Sequence, residues 1–134
     1  MKVLVDTSVW VDFFNGLPSP QADALERLLR GDGDVATCGV IVSEVLQGMR
    51  REPPDLRRRF TDLQWLRPRE PDTYFAAADL FRALRKQGVT IPSTIDCLLV
   101  TLAEEHAAWL LAKDRDLTQV IKSGLAKVPA LPVG

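Results

Sequence analysis

The hydrophobic positions of the chain alternate between short continuous runs and stretches with helical spacing. Residues 2–5 form a short, β-branched run that is typical of a buried strand. Similar runs predict strands at residues 35–38, 65–66 and 109–112, and a last one near Val128. The pattern therefore predicts about five short strands.

The stretches between these runs carry apolar residues three and four positions apart, which predicts amphipathic helices. Short helices are expected at residues 10–14, 42–49, 56–63 and 117–122, and a strongly apolar one at 93–106. Ser19 followed by Pro20 is typical of a helix start, and Gly31 of its end. Another helix should end at Gly88 and carry the apolar stripe Tyr74, Ala77, Phe81 and Leu84.

Strands that alternate with helices predict a parallel sheet covered on both faces. The expected fold class is therefore α/β, with three layers in the order α/β/α, and residues 1–134 are expected to form a single domain. The first strand is short and apolar, which favours a central position. Ligands of such sheets bind beyond the carboxyl ends of the strands, where strand order reverses. The residues that follow each strand are thus the candidates for function.

Composition supports an ordinary globular protein, with 46% hydrophobic and 26% charged residues. No apolar run is long enough to span a membrane, and Asp6 interrupts the first run too early for a signal peptide. We therefore expect a cytoplasmic protein without a membrane partner. Cys38 and Cys97 lie in apolar segments and are expected to be reduced core residues.

The charges are balanced overall but unevenly placed. Lys and Arg number 17 against 18 Asp and Glu, which argues against binding nucleic acid by bulk electrostatics. Seven arginines nevertheless crowd into twenty residues: Arg50, Arg51, Arg57, Arg58, Arg59, Arg67 and Arg69. Four acids dilute them: Glu52, Asp55, Asp62 and Glu70. Two interpretations stay open, a solvated helix face and a surface that follows phosphates.

Four carboxylates lie where the predicted strands end. Asp6 follows the first strand, and Asp114 follows the strand at 109–112. Glu44 lies near the start of the helix after the second strand, and Asp96 lies among apolar neighbours in the first turns of the 93–106 helix. All four can share one edge of the sheet. A carboxylate held against apolar surface needs a partner, a cation or a proton.

Each of these acids also has a purely structural interpretation. Asp6 can cap the first helix, and Glu44 can complement a helix dipole from a first turn. Ser93 and Asp96 have the spacing of a capping box. Capping and metal binding are compatible, so neither interpretation excludes the other.

A second acid beside Asp114 adds an ambiguity. Asp116 and Gln119 have the spacing of a helix cap, and we favour that role for Asp116. This leaves Asp114 to face the crevice. Asp12, by contrast, is expected only at the surface.

Several carboxylates in one crevice repel each other, and two unit charges 4 Å apart cost on the order of 1–4 kcal/mol. A hard divalent cation removes this conflict, and ligation by oxygen alone suits Mg²⁺ or Mn²⁺. Zinc does not fit, because His106 is the sole histidine and the cysteines lack ligand spacing. Such a cation lowers the pKa of bound water and neutralises charge on a phosphodiester.

Taken together, these segments resemble the PIN-domain family, and within it the toxins of VapBC toxin–antitoxin systems. The resemblance covers nearly the whole chain. It rests on four segments in order: Val5-Asp6-Thr7-Ser8-Val9-Trp10, Ser43-Glu44-Val45 with Gly48, Ile95-Asp96-Cys97-Leu98-Leu99, and residues 110–117. The family usually has Thr or Asn where Lys113 stands and an aromatic residue where Leu117 stands. This departure leaves open whether Asp114 or Asp116 is the main fourth acid.

The resemblance implies Mg²⁺- or Mn²⁺-dependent endonucleolytic cleavage of RNA. A metal-activated water would attack phosphorus in line and leave a 5′-phosphate and a 3′-hydroxyl. Thr7 or Ser8 would orient a ligand or a water, and Asp116 would support the site. The catalytic and metal-holding residues would be Asp6, Glu44, Asp96 and Asp114, around one or two ions.

The resemblance also implies partners. Toxins of this type are homodimers that cleave transfer or ribosomal RNA, inhibit translation and are silenced by a cognate VapB-type antitoxin. The antitoxin lays a peptide in a hydrophobic groove. The predicted first helix is apolar nearly all round, at Val9, Trp10, Val11, Phe13 and Phe14. These side chains belong either to such an interface or to the core.

Other functions fit the sequence less well. A haloacid-dehalogenase phosphatase needs a second Asp two positions after the first, where Ser8 stands. A receiver domain needs its phosphorylated Asp after a central strand, but residues 65–66 lead to Arg67-Pro68-Arg69. An RNA-processing nuclease without an antitoxin and a catalytically silent PIN scaffold remain as alternatives. The presence of all four acids argues against the silent scaffold.

Overall fold

The computed structural model describes residues 1–31, 33–90 and 92–133. These ranges contain four strands: β1 (Lys2–Val5), β2 (Asp34–Thr37), β3 (Gln64–Trp65) and β4 (Trp109–Leu111). They contain seven helices: α1 (Thr7–Asn15), α2 (Pro20–Arg30), α3 (Gly39–Gln47), α4 (Leu56–Thr61), α5 (Asp72–Lys86), α6 (Thr94–Glu105) and α7 (Arg115–Lys122). None of the helices in these ranges has the length and apolar character that crossing a bilayer would require.

The sheet is parallel throughout, with strand order β3-β2-β1-β4. Val3 of β1 pairs with Val35 on one side and with Trp109 on the other. The interior position expected for the first strand is therefore confirmed. The α/β class is confirmed as well. Strand order reverses at β1, so the ends of β1 and β4 flank the place where a ligand is expected.

The expected last strand near Val128 is wrong as an extended element. Only an isolated parallel bridge joins Leu110 to Ala130 there, so the described sheet has four strands rather than about five. The Leu110 N–H donates to the Pro129 carbonyl at 3.0 Å, and the Leu131 N–H donates to the Leu110 carbonyl at 2.9 Å. Pro129 and Pro132 carry no N–H, so pairing cannot extend in either direction.

Most helix boundaries follow the local signals. Ser19 accepts a hydrogen bond from the Ala22 N–H at 3.0 Å and Pro20 is the first residue of α2, as expected. Gly16 ends α1 at φ +67°, a left-handed conformation that glycine adopts without strain. The stripe expected on α5 is partly wrong, because Tyr74 is 45% exposed while Ala77 and Leu84 are buried.

The core lies on both faces of the sheet. Val3, Leu4 and Val5 are fully buried, and the apolar side of α6 packs with them through Leu99 and Val100. Both cysteines are buried free thiols, so the expectation of reduced core residues is confirmed. Burial and the nearby Asp96 charge raise the pKa of Cys97 to about 11, so that thiol stays protonated. The packed strands hold their carboxyl ends in fixed relative positions.

Candidate active site

All five predicted acids, from Asp6 to Asp116, line one open crevice of about 410 Å³ at the carboxyl ends of the strands. The described lining holds no Lys, Arg or His side chain. Its members are Asp6, Thr7, Ser8, Glu44, Ser93, Ile95, Asp96, Leu99, Asp114 and Asp116. The fold thus brings together carboxylates that are more than one hundred residues apart in sequence.

Asp6 is placed by the end of β1 and the start of α1. Its backbone N–H donates to the Leu111 carbonyl at 2.9 Å, which holds it beside the end of β4. Its side chain caps α1 and accepts hydrogen bonds from the Ser8 N–H at 3.4 Å and the Ser8 hydroxyl at 2.9 Å. Asp6 is only 6% exposed. The capping interpretation and the crevice position therefore hold together.

Glu44 reaches the crevice from the middle of α3. The sequence suggested a first-turn position, but α3 begins at Gly39, so Glu44 lies beyond the first turn and does not complement the helix dipole there. Its carboxylate accepts a hydrogen bond of 2.8 Å from the Thr7 hydroxyl. This bond joins the second acidic segment to the first and fixes the direction of Glu44.

Asp96 belongs to a complete capping box at the start of α6. The Ser93 hydroxyl accepts from the Asp96 N–H at 3.1 Å, and Asp96 Oδ2 accepts from the Ser93 N–H at 2.9 Å and from its hydroxyl at 3.0 Å. Both bonds end on the same oxygen. Among the described groups, none donates to the other oxygen, Oδ1. One side chain thus starts the helix with one oxygen and leaves the second for the crevice.

Asp116 was expected to cap the helix, but the structure gives that role to Asp114. Asp114 is the N-cap of α7 and accepts from the Asp116 N–H at 2.8 Å, whereas Asp116 lies in the first turn. The helix begins at Arg115, two residues before the start expected at Leu117, because Asp114 already supplies an acceptor. Both acids still line the crevice.

The crevice disfavours the negative charges it holds. Burial raises the pKa of Asp6 and the Asp114 charge adds to the rise, although hydrogen bonds from Ser8 oppose it. Reduced hydration, followed by the charges of Asp114 and Asp96, raises the pKa of Asp116. A cation in the crevice would relieve both effects.

The donor set fits a hard divalent cation, since it is anionic and consists of oxygen atoms. In the part of the chain that is described, no three His, Cys, Asp or Glu side chains are grouped closely enough to hold an ion by direct contact alone. Ser8, Thr7 and Ser93 engage one oxygen each of Asp6, Glu44 and Asp96. The crevice is accordingly suited to an ion that keeps part of its water shell.

Asp12 contradicts its expected surface position. It is 6% exposed, and its carboxylate accepts from the Lys113 ammonium at 2.8 Å. The sequence carried one signal, because Asp12 lies three residues after the buried Val9 and so shares its helix face. The pair fastens the segment that precedes Asp114 to α1.

A separate apolar groove of about 370 Å³ lies between α1, α2 and α4. Trp10 is buried, and its ring packs within 5.2 Å of Phe60 and 5.8 Å of Phe14, measured between ring centroids. Phe13 and Phe14 are only partly buried and line the groove with Trp10. The core interpretation is therefore confirmed for Trp10, and the interface interpretation stays a prediction for Phe13 and Phe14.

Comparison with known proteins gives concordant results. A family model described as "PIN domain" matches residues 3–122. The chain is 32% identical to "Ribonuclease VapC11" of Mycobacterium tuberculosis over 123 residues, which cover 90% of this chain and 92% of the relative. It also resembles the structure of VapBC-1 from nontypeable Haemophilus influenzae at TM-score 0.69, with 18% identity and coverage of 98% and 97%. The structure of VapBC2 from Rickettsia felis bound to a promoter DNA fragment matches at TM-score 0.67, with 15% identity over the full length of both chains.

Proposed function

Since the chain belongs to the PIN-domain family, we propose that it is a metal-dependent endoribonuclease and the toxin of a VapBC-type toxin–antitoxin pair. The observation that supports the proposal most strongly is the crevice, which five carboxylates line without a basic side chain among the described lining residues. Residues 1–134 would form a single PIN domain. Because its substrate is cellular RNA, the protein acts in the cytoplasm.

Four acids hold the ion in this proposal: Asp6, Glu44, Asp96 and Asp114. Mg²⁺ or Mn²⁺ suits them, because these ions prefer oxygen ligands and Mg²⁺ retains several waters. A bound divalent cation supplies a nucleophilic water and neutralises charge on the phosphodiester. Asp116 is a supporting acid, since it lines the same crevice from the first turn of α7.

The hydroxyl residues of the crevice act as positioning residues. Thr7 directs Glu44 through its 2.8 Å hydrogen bond, and Ser8 does the same for Asp6 at 2.9 Å. Fixed carboxylates need no reorganisation when the phosphate arrives. In the reaction the water oxygen bonds to phosphorus and the bond from phosphorus to O3′ breaks. The products carry a 5′-phosphate and a 3′-hydroxyl.

The partners follow from the same proposal. The groove beside Trp10, Phe13 and Phe14 has the apolar character that an antitoxin peptide would cover. The relative from Mycobacterium tuberculosis is named a ribonuclease, and two structural neighbours are VapBC assemblies. We accordingly expect a homodimer that cleaves transfer or ribosomal RNA and is silenced by a cognate VapB-type antitoxin.

A cleavage assay with purified protein tests the enzymatic proposal. Total cellular RNA should be cut in Mg²⁺ or Mn²⁺ and left intact in EDTA, and Asp96→Asn should lose at least a hundredfold in rate. Asp79→Asn is the matched control, because Asp79 lies on α5 outside the crevice, where it pairs with the exposed Arg82 at 3.8 Å. Equal cleavage by wild type and Asp96→Asn would contradict the proposal.

The toxin role needs a separate test, since an RNA-processing nuclease would pass the cleavage assay. Induced expression should arrest translation, and co-expression of the protein from the adjacent reading frame should restore it. Phe13→Asp should abolish that rescue while leaving RNA cleavage intact, because Phe13 lines the apolar groove and is not among the residues that line the acidic crevice. Growth unaffected by expression of an active nuclease would remove the toxin role and leave the enzyme.

A further inference from the structure

A second groove of about 420 Å³ lies between α1 and α3 and ends in two arginines. Its floor and walls come from Val11 and Asn15 of α1, from Val45 of α3, and from Gly48, Arg50 and Arg51 just beyond. Unlike the apolar groove, it presents polar and apolar surface in similar amounts. The arginines belong to the crowded run that the proposed chemistry leaves without a role.

This groove lies along the same two helices, α1 and α3, that contribute to the acidic crevice. The hydrogen bond from Thr7 to Glu44 joins α1 to α3 at the crevice. Val11 lies one helical turn beyond Thr7, and Gly48 one turn beyond Glu44, so both helices lead from the crevice into the groove. Asn15, eight residues after Thr7, lies about 12 Å further along α1 at 1.5 Å per residue. A single strand of RNA covers that distance in a few nucleotides.

In the described part of the chain the two arginines have no acidic partner, whereas two others of the run, Arg57 and Arg58, do. Arg57 donates to both oxygens of Glu52, with Nε at 2.9 Å from Oε2, and the bond holds the pKa of Glu52 below its ordinary value. Arg58 pairs with Asp55 at 3.6 Å. Across the described residues, neither Arg50 nor Arg51 forms an ion pair. Glu52, the acid next to them, is already engaged.

We propose that Arg50 and Arg51 each bind a backbone phosphate of the RNA strand that enters the acidic crevice. This inference rests on the proposed function, and it identifies residues that bind the RNA at a distance from the scissile bond. The crevice itself repels phosphate through its five acids, so the strand needs an anchor outside it. Arginine suits this role, because its planar guanidinium donates two parallel bonds to phosphate oxygens. Two placed cations also explain how a chain of net charge −1 handles RNA.

Salt dependence of RNA binding tests the proposal with a matched control. All proteins carry Asp96→Asn so that a short fluorescein-labelled single-stranded RNA of mixed sequence stays intact. One variant adds Arg50→Gln and Arg51→Gln, and the other adds Arg59→Gln and Arg67→Gln, two exposed arginines of the same run that also form no ion pair among the described residues. Both variants lose the same net charge from the same run of arginines, so they differ only in which arginines are removed.

Anisotropy titrations between about 50 mM and 200 mM salt give the slope of log affinity against log salt. Each phosphate contact to a single strand contributes about 0.7 to that slope, so loss of two contacts lowers it by about 1.4. The affinity advantage of the parent over the Arg50/Arg51 variant should therefore shrink about sevenfold over this range. The Arg59/Arg67 variant should keep the parental slope.

Four outcomes would overturn the inference. Equal losses in both variants would mean that bulk charge, not a site, binds the strand. An unchanged slope with weakened antitoxin binding would assign Arg50 and Arg51 to the protein partner. Absence of RNA cleavage by the wild type would remove the proposed function and this inference with it, whereas cleavage with an unchanged slope removes the inference alone.

Discussion

Without metal, the Asp6→Asn variant should be more stable to unfolding than the wild type, and added metal should stabilise it less. The raised pKa of Asp6 means that its surroundings, hydrogen bonds included, disfavour the charged form. Asparagine keeps an oxygen for the Ser8 N–H and is as good an N-cap as aspartate. The substitution loses about 0.3–1 kcal/mol of interaction with the helix dipole. It relieves a buried charge that faces Asp114.

The raised pKa of Asp6 indicates that relief of the buried charge outweighs the lost interaction with the helix dipole. We expect a net gain on the order of 1 kcal/mol at pH 7, the usual size of a single charge effect in a partly screened site. For a chain of this length, 1 kcal/mol corresponds to roughly 3–4 °C in Tm. The gain depends on pH. Below about pH 3.9 Asp6 is neutral in both states, and as pH rises through its raised folded pKa the wild type loses stability that the variant keeps.

Metal should reverse the order of the two proteins. A cation that binds only the native state adds about 2.7 kcal/mol at a hundredfold excess over Kd, or about 10 °C in Tm. The wild type should show this shift in Mg²⁺ or Mn²⁺, and Asp6→Asn should show a smaller one. Calorimetric melts at several pH values and metal concentrations measure both effects.

Asp12→Asn is the matched control, because Asp12 and Asp6 lie near the same helix and are both 6% exposed. Asp12 has the Lys113 ammonium at 2.8 Å, so its replacement should cost about 1–2 kcal/mol and leave the metal shift unchanged. The reasoning is refuted if Asp6→Asn melts below the wild type at every pH without metal. Identical metal shifts in Asp6→Asn and wild type would refute it as well.

Three further predictions concern single side chains. Thr7→Val removes the hydrogen bond to Glu44 and should slow RNA cleavage about tenfold at unchanged Tm. Thr7→Ser should restore the rate, and a loss of Tm that accompanies the loss of rate would contradict a positioning role. Asp114→Asn should abolish cleavage, whereas Asp116→Asn should slow it by no more than about tenfold in the same assay, and the reverse order would make Asp116 the main fourth acid. Alkylation of Cys97 in the native protein should stay negligible up to pH 9, since its pKa is about 11, and mass spectrometry of iodoacetamide-treated protein checks this.

Local signals in the sequence predicted most of the fold. Ser19 with Pro20 and Ser93 with Asp96 mark helix starts through contacts within three residues, and such contacts survive in almost any tertiary setting. The central position of β1 followed from a short apolar run. The gathering of Asp6, Glu44, Asp96 and Asp114 into one crevice followed from the parallel sheet, because the carboxyl ends of its strands share an edge.

Prediction from the sequence was wrong where the structure depends on residues distant in the chain or on two local signals that compete. The Asp12–Lys113 pair spans 101 positions, so no local pattern announces it. Asp114 and Asp116 can each cap a helix, and only the position at which β4 ends selects Asp114. The last strand was expected from apolar residues near Val128, but pairing depends on N–H groups that the prolines beside them lack.

Three of the acids are also helix N-caps or members of a capping box, a position that asparagine fills nearly as well as aspartate. A single-base change in an Asp codon gives Asn, so under the roles proposed for these acids the gene lies one step away from a folded but inert product. Such a product would keep the surface around Trp10 and compete with the active copy for its inhibitor. Inactive copies of this protein would thus accumulate, because cellular quality control does not remove folded chains. By binding the inhibitor, they would release the active toxin that remains.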